Sequence, residues 1–116
     1  MPRDDQPLAA HWFHILLALA DEDRHGLEIT KDVFGRTNGT LHLWPGKLYG
    51  ALKKMTKAGL VADAKPPRDF QAAGGRPRFY RITDQGRRAL AIEAERLAGF
   101  VEAARSKRLL KRPRTS

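Results

Sequence analysis

The sequence predicts a mainly α chain of α+β class: three helices, a two-stranded hairpin and one long terminal helix. Three observations carry that prediction. Apolar residues recur at helical spacing through most of the first sixty positions. After Gly59 the pattern shortens to a period of two, over Leu60 to Ala64 and again over Arg78 to Ile82. From Asp84 onward Leu90, Ala94, Leu97, Val101 and Ala104 follow one another in steps of four and three, a continuous stripe along one long helix.

A chain of 116 residues makes one domain with a modest core. Its 22 Lys and Arg against 13 Asp and Glu give a formal charge of +9 and a pI near 10.5, which points to a polyanionic partner: DNA, RNA or an anionic membrane surface. A membrane is the weakest of these partners, because no apolar run approaches the roughly 18 residues a span needs. The opening MPRDDQPLAA lacks the charged-then-apolar order of a signal peptide, so the expectation is a cytoplasmic protein without a membrane partner. The absence of cysteine removes disulfides, thiolate metal sites and thiol nucleophiles together.

Taken in order, residues 1–6 read as a disordered N-terminus. Pro7 to Ala20 is nearly all apolar and reads as a helix buried on most of its surface, with a second copy of the chain as a plausible cover. Asp21, Glu22 and Asp23 form a turn. His25 to Thr37 reads as an amphipathic helix ending near Gly35, with Leu27, Ile29, Val33 and Phe34 on one loose stripe. Asn38 and Gly39 mark a turn, and Thr40 to Trp44 reads as a short extended piece.

Pro45 to Leu60 is the segment around which the rest is organised. Pro45 suits a first helical turn and Gly59 a stop, while Leu48, Ala51, Leu52 and Met55 gather on one face. Opposite them lie Gly46, Gly50, Lys53 and Lys57, flanked by Tyr49, Lys47 and Lys54: one face for a core, one for an anion. Each glycine lowers helix propensity by roughly 1 kcal/mol relative to Ala, which suggests that something bulky approaches this outer face. The hairpin follows, with Arg68, Arg76 and Arg78 at or near a tip that Gly74 and Gly75 let turn sharply; Phe79 and Arg81 fall on one strand face, Tyr80 and Ile82 on the other. Thr83 or Asp84 can cap the last helix, which runs to about Arg105. Residues 7–82 are thus the expected DNA-binding domain, 83–105 a dimerisation helix and 106–116 a basic flexible tail.

Helix, helix-turn-helix, hairpin and long terminal helix in that order is a winged helix-turn-helix with a two-stranded wing. The segments ILLALADEDRHGLEITKDV, LHLWPGKLYGALKKMTKAGLV and RFYRITDQGRRAL resemble, in the same order, the first two helices, the recognition helix and the wing exit of the PadR family of bacterial transcriptional regulators. The resemblance covers roughly residues 12 to 105. It implies a homodimeric DNA-binding repressor of the short form, whose terminal helix swaps across the dimer. Carried over by position, Tyr49 matches a tyrosine that approaches the DNA backbone, Leu48, Leu52, Leu60 and Val61 match core positions, and Tyr80, Thr83 and Gly86 match the wing exit. Trp44 stands where many members carry a small hydroxyl cap, and Lys47 where many carry Ser or Thr.

The expected function is sequence-specific regulation of transcription, with double-stranded DNA and a second copy of the chain as partners. Lys47, Lys53, Lys54 and Lys57 are expected at phosphate or guanine, Tyr49 at phosphate, and Arg76 with Arg78 in the adjacent minor groove. The run Gly75, Arg76, Pro77 also matches an AT-hook core, but a plain wing tip explains it as well. Leu90, Ala94, Leu97 and Val101 form the expected dimer interface. Trp12, Phe13 and Phe100 are candidates to line an apolar pocket between protomers for a small aromatic ligand, against the alternative that they simply pack. His11 and His14 share a helix face, yet without cysteine or an acidic neighbour no metal site and no cofactor is expected. No nucleophile–base pair, phosphate loop or carboxylate pair speaks for an enzyme. The competing reading is a non-specific nucleic-acid-binding or nucleoid-associated protein using the same basic surface.

Overall fold

The computed structural model describes residues 6–68, 70 and 77–111. In chain order they form α1 (Ala10–Leu19), β1 (Arg24–His25), α2 (Gly26–Arg36), α3 (Pro45–Lys57), β2 (Val61–Ala64), β3 (Phe79–Ile82) and α4 (Asp84–Ser106). This is the expected α+β winged helix-turn-helix, with one strand more than the sequence suggested. The sheet is antiparallel in the order β1-β3-β2, pairing Arg24 with Tyr80 on one edge and Val61 with Ile82 on the other. Of the N-terminus expected to be disordered, residues 1–6, all but Gln6 lie outside the described residues, as does the last part of the basic tail, 112–116.

The core gathers Ile15, Leu16 and Leu19 of α1, Ile29 and Val33 of α2, Leu48, Leu52 and Met55 of α3, and Val61, Tyr80 and Ile82 of the sheet. Helix α1 is shorter than the apolar run that suggested it, and its fully buried residues, Ile15, Leu16, Ala18 and Leu19, all lie in its second half. Its C-terminal carbonyls are held by two arginines: Arg24 Nε donates to the Ala18 carbonyl at 2.7 Å and Arg87 to the Ala20 carbonyl at 3.0 Å. Cations at a helix C-terminus are favourable, so part of the basic charge serves the fold.

Helix α2 corrects the expected apolar stripe. Ile29 and Val33 are buried, but Leu27 and Phe34 are exposed. Leu27 lies about 200° around the helix from Ile29, and Phe34 about 100° from Val33, so only the pair four residues apart can share the core face. His25 caps the helix: its Nδ1 accepts from the Glu28 N–H at 3.3 Å while the Glu28 carboxylate accepts from the His25 N–H at 3.1 Å. At the other end Asn38, at φ +53°, takes the left-handed turn, and Gly39 N–H reaches back to the Phe34 carbonyl at 2.8 Å. Residues 40–44, expected as a short extended piece, pair with no strand among the described residues and serve as the irregular entry to α3, with Leu43 buried.

The wing keeps the expected alternation of faces but buries a residue of each. Phe79 and Tyr80 are both buried because β3 is the middle strand and each face is covered. Phe79 stacks edge-on with His25 and Phe70, at ring distances of 5.3 and 5.0 Å, while Tyr80 enters the main core.

The joint between α3, wing and α4 explains the run Tyr80 to Gly86. Gly59, at φ +81°, ends α3, with Leu60 N–H donating to the Met55 carbonyl at 2.9 Å and Gly59 N–H to Thr56 at 3.0 Å. Of the two candidate caps, Thr83 acts: its hydroxyl accepts from the Gly86 N–H at 2.9 Å and donates to the Gly59 carbonyl at 2.6 Å. A Cβ at Gly86 would lie 2.9 Å from Ile82 Cγ1, 3.1 Å from the Leu60 carbonyl carbon and closer still to its oxygen, so only glycine fits.

Candidate nucleic-acid interface

Helix α3 presents the two faces its spacing predicts. Leu48, Ala51, Leu52 and Met55 are buried, whereas Gly46, Lys47, Tyr49, Gly50, Lys53, Lys54 and Lys57 are exposed. None of the four lysines forms an ion pair among the described residues, in contrast to Arg24, Arg36, Arg78, Arg96 and Arg105, each of which meets a carboxylate. The first turn carries no acidic residue and no side-chain cap, so the N–H groups of Gly46 and Lys47 and the positive end of the helix dipole are unopposed. The arrangement favours phosphate.

Tyr49 is 48% exposed, and its ring lies over the start of α2. A Cβ at Gly26 would sit 2.9 Å from Tyr49 Cζ and closer still to the hydroxyl. Gly26 is therefore the seat on which Tyr49 rests, a relation that no local sequence pattern reveals because 23 positions separate the two. The nearby Tyr80 phenol is pushed above its ordinary value by burial, against the lowering effect of Arg78.

On the wing, Arg78 pairs with Asp63 across the strands at 3.2 Å, with both side chains well exposed. Such a pair is worth about 0–1 kcal/mol, so the guanidinium can exchange to a phosphate. Arg68 is exposed; Arg76, Gly74 and Gly75 lie outside the described residues.

Beside α3 lies an open groove of about 390 Å³ between the start of α1 and the lysine face, lined by Ala9, His11, Trp12, Gly46, Lys47, Gly50, Ala51 and Lys54. Burial, then Lys47 and Lys54, lower the pKa of His11. Burial, then Arg36, does the same to His14, whose Nδ1 lies 3.0 Å from the Arg36 guanidinium. Of the expected pocket residues Trp12 lines this groove; Phe13 is half-buried against the core, and Phe100 stands exposed on α4 under the Arg96 guanidinium. No group of three metal-ligating side chains occurs among the described residues, and none of their helices is long and apolar enough to cross a membrane.

The fully buried residues of α4, Gly86, Leu90 and Glu93, all lie in its first half, and the Glu93 carboxylate is paired with Arg96. Arg96, chiefly through this hydrogen bond, holds Glu93 below the usual carboxylate range. Leu90 belongs to the protomer's own core, Leu97 is half-buried, and Ala94 and Val101 are exposed.

A winged helix whose third helix turns outward a lysine face without ion pairs among the described residues has the form of a DNA-binding regulator. The transcriptional regulator PadR-like family model matches residues 15–92, and the chain belongs to that family of DNA-binding transcription regulators. A PadR family transcription regulator from Clostridium difficile superposes with a TM-score of 0.69 at 26% identity, over 84% of this chain and 97% of that one. The complex structure of hsRosR-SG aligns with a TM-score of 0.66 at 28% identity, covering 92% and 89%. An uncharacterised protein from Lysinibacillus sphaericus is 27% identical over 77 residues, 66% of this chain and 68% of its own.

Proposed function

We propose that the chain is a homodimeric, cytoplasmic repressor that binds a palindromic operator. The observation that carries this reading is the lysine face of α3: four cations without carboxylate partners among the described residues, around Tyr49 and beside a wing bearing Arg78. Lys47, Lys53, Lys54 and Lys57 contact phosphate or guanine, Tyr49 donates its hydroxyl to phosphate, and Arg78 with Arg76 reaches the neighbouring minor groove. Dimerisation is supported by the second half of α4, where Ala94, Leu97 and Val101 continue the stripe that Leu90 begins, joined by exposed Phe100. Two recognition helices related by a twofold axis would meet half-sites roughly 34 Å apart. A small aromatic ligand held near Trp12, Phe13 and Phe100 would release the operator.

The test is an anisotropy titration on DNA upstream of the protein's own gene against scrambled DNA, at two salt concentrations. A preference of roughly a thousandfold supports operator recognition. Equal binding that vanishes with salt identifies a non-specific binder instead. Lys53→Ala with Lys54→Ala should weaken binding to both DNAs and reduce the salt slope by about one for each phosphate no longer neutralised.

A further inference from the structure

The α3 entry carries an aromatic ladder that neither the core nor the lysine face accounts for. Trp44 precedes Pro45 and is 64% exposed. It occupies the N-cap position without offering the helix a side-chain hydrogen bond, where a Ser, Thr, Asp or Asn would stabilise the first turn. Its ring is nevertheless held in place. His42 lies against it at a ring distance of 4.3 Å, Phe34 meets His42 edge-on at 5.8 Å, and Phe34 is in turn seated on the turn at Gly39. A large apolar ring is thus fixed outward, one turn before Lys47 and continuous with the cationic end of α3, at the sacrifice of the cap.

We propose that Trp44 is a specificity-determining residue that packs on the 5-methyl group of a thymine at the edge of each half-site, with His42 as its positioning residue. The proposal rests on the reading of α3 as an operator-recognition helix. In that geometry the first turn of the helix lies nearest the base edges. The apolar feature of the major groove is the thymine methyl, and an apolar side chain beside it distinguishes T·A from the other pairs. The flanking Lys47 and the unopposed helix dipole select DNA over an apolar protein partner, since both attract phosphate to the place where the ring stands.

The experiment selects sites from a random DNA library with the full chain, then replaces each thymine of the selected site by deoxyuridine, which removes only the methyl group. The expected result is a fixed T·A pair in each half-site, and a loss of about fourfold in wild-type affinity per half-site when that thymine becomes uracil. Trp44→Ser, which restores a hydroxyl at the cap, should fold, keep the salt slope of the lysines and bind thymine and uracil sites equally. His42→Ala should retain part of the discrimination. Selected half-sites without a fixed thymine, a uracil scan without loss in the wild type, or the same loss in Trp44→Ser would each overturn the assignment while leaving operator recognition intact. A library that yields no enriched sequence would refute operator recognition itself, and the Trp44 assignment with it. Should Trp44→Ser fail to fold, Trp44→Ala takes its place in the comparison, and a uracil scan of the wild type without loss overturns the assignment whatever the variants do.

Discussion

Gly26→Ala separates the seat of Tyr49 from the stability of the fold. The new Cβ would stand 2.9 Å from Tyr49 Cζ and closer still to the hydroxyl, so something must move. The atoms in its way belong to the far end of a half-exposed ring, which can swing toward solvent. An off-rotamer ring costs about 0.5–1.5 kcal/mol, and replacing glycine at a helix start returns up to roughly 1 kcal/mol. The two nearly cancel, and Tm should stay within about 4 °C of wild type. DNA binding should not be spared. A hydrogen bond to a charged phosphate contributes about 1.5–3 kcal/mol, so displacing the hydroxyl weakens each half-site roughly tenfold to a hundredfold. Anisotropy on the upstream DNA, paired with a thermal melt by circular dichroism, reads both quantities from one preparation. Tyr49→Phe should reproduce the binding loss. A Gly26→Ala protein that melts normally and binds with unchanged affinity would remove Tyr49 from the interface; one that does not fold would refute the free swing of the ring.

Gly86→Ala is expected to behave oppositely, because its Cβ would strike the Leu60 backbone and Ile82 rather than a movable ring; a loss of about 3 kcal/mol and a Tm lower by about 10 °C should appear in urea and thermal melts. Thr83→Ala removes both the α4 cap and the bond to the Gly59 carbonyl and should cost about 1–2 kcal/mol, most of it recovered by Thr83→Ser. His11 and His14 are both held below the ordinary imidazole value, first by burial and then by neighbouring cations, so the unfolded chain binds more protons than the folded one just below pH 6.5. Stability should therefore be fully present above that pH and fall as pH drops through the lowered values; urea midpoints at pH 7.5 and 5.5 should converge in the His11→Gln, His14→Gln double variant.

What the sequence disclosed and what it hid divide along a physical line. The faces of α3 were legible because Leu48, Ala51, Leu52 and Met55 report the helix's own periodicity, and Pro45 and Gly59 report its ends. The stripe of α2 was not, because four apolar residues in a short window need not share a face, and Phe34 turned instead to Gly39 and His42. A strand of two residues, Arg24 and His25, has no period to detect, and without it the burial of both Phe79 and Tyr80 could not be foreseen.

Glycine shows the same line most sharply, since one letter stands for opposite situations. Gly26 and Gly86 are crowded by atoms of Tyr49 and of Leu60 and Ile82, distant or rigid neighbours that no local pattern names. Gly50, inside the helix most exposed to the proposed DNA, and Gly46, in its first turn, have open space around them: a Cβ at either would meet nothing within 4 Å among the described residues. Packing among the described residues thus gives no reason to accept the roughly 1 kcal/mol that Gly50 costs the helix interior. The room they leave, on a face whose lysines have no carboxylate partners among the described residues, is room for something that approaches from outside the chain. Gly50→Ala therefore belongs with the DNA-contact variants rather than the folding ones: it should raise Tm by a few degrees, and any loss of operator affinity that accompanies the gain would measure how closely the DNA comes.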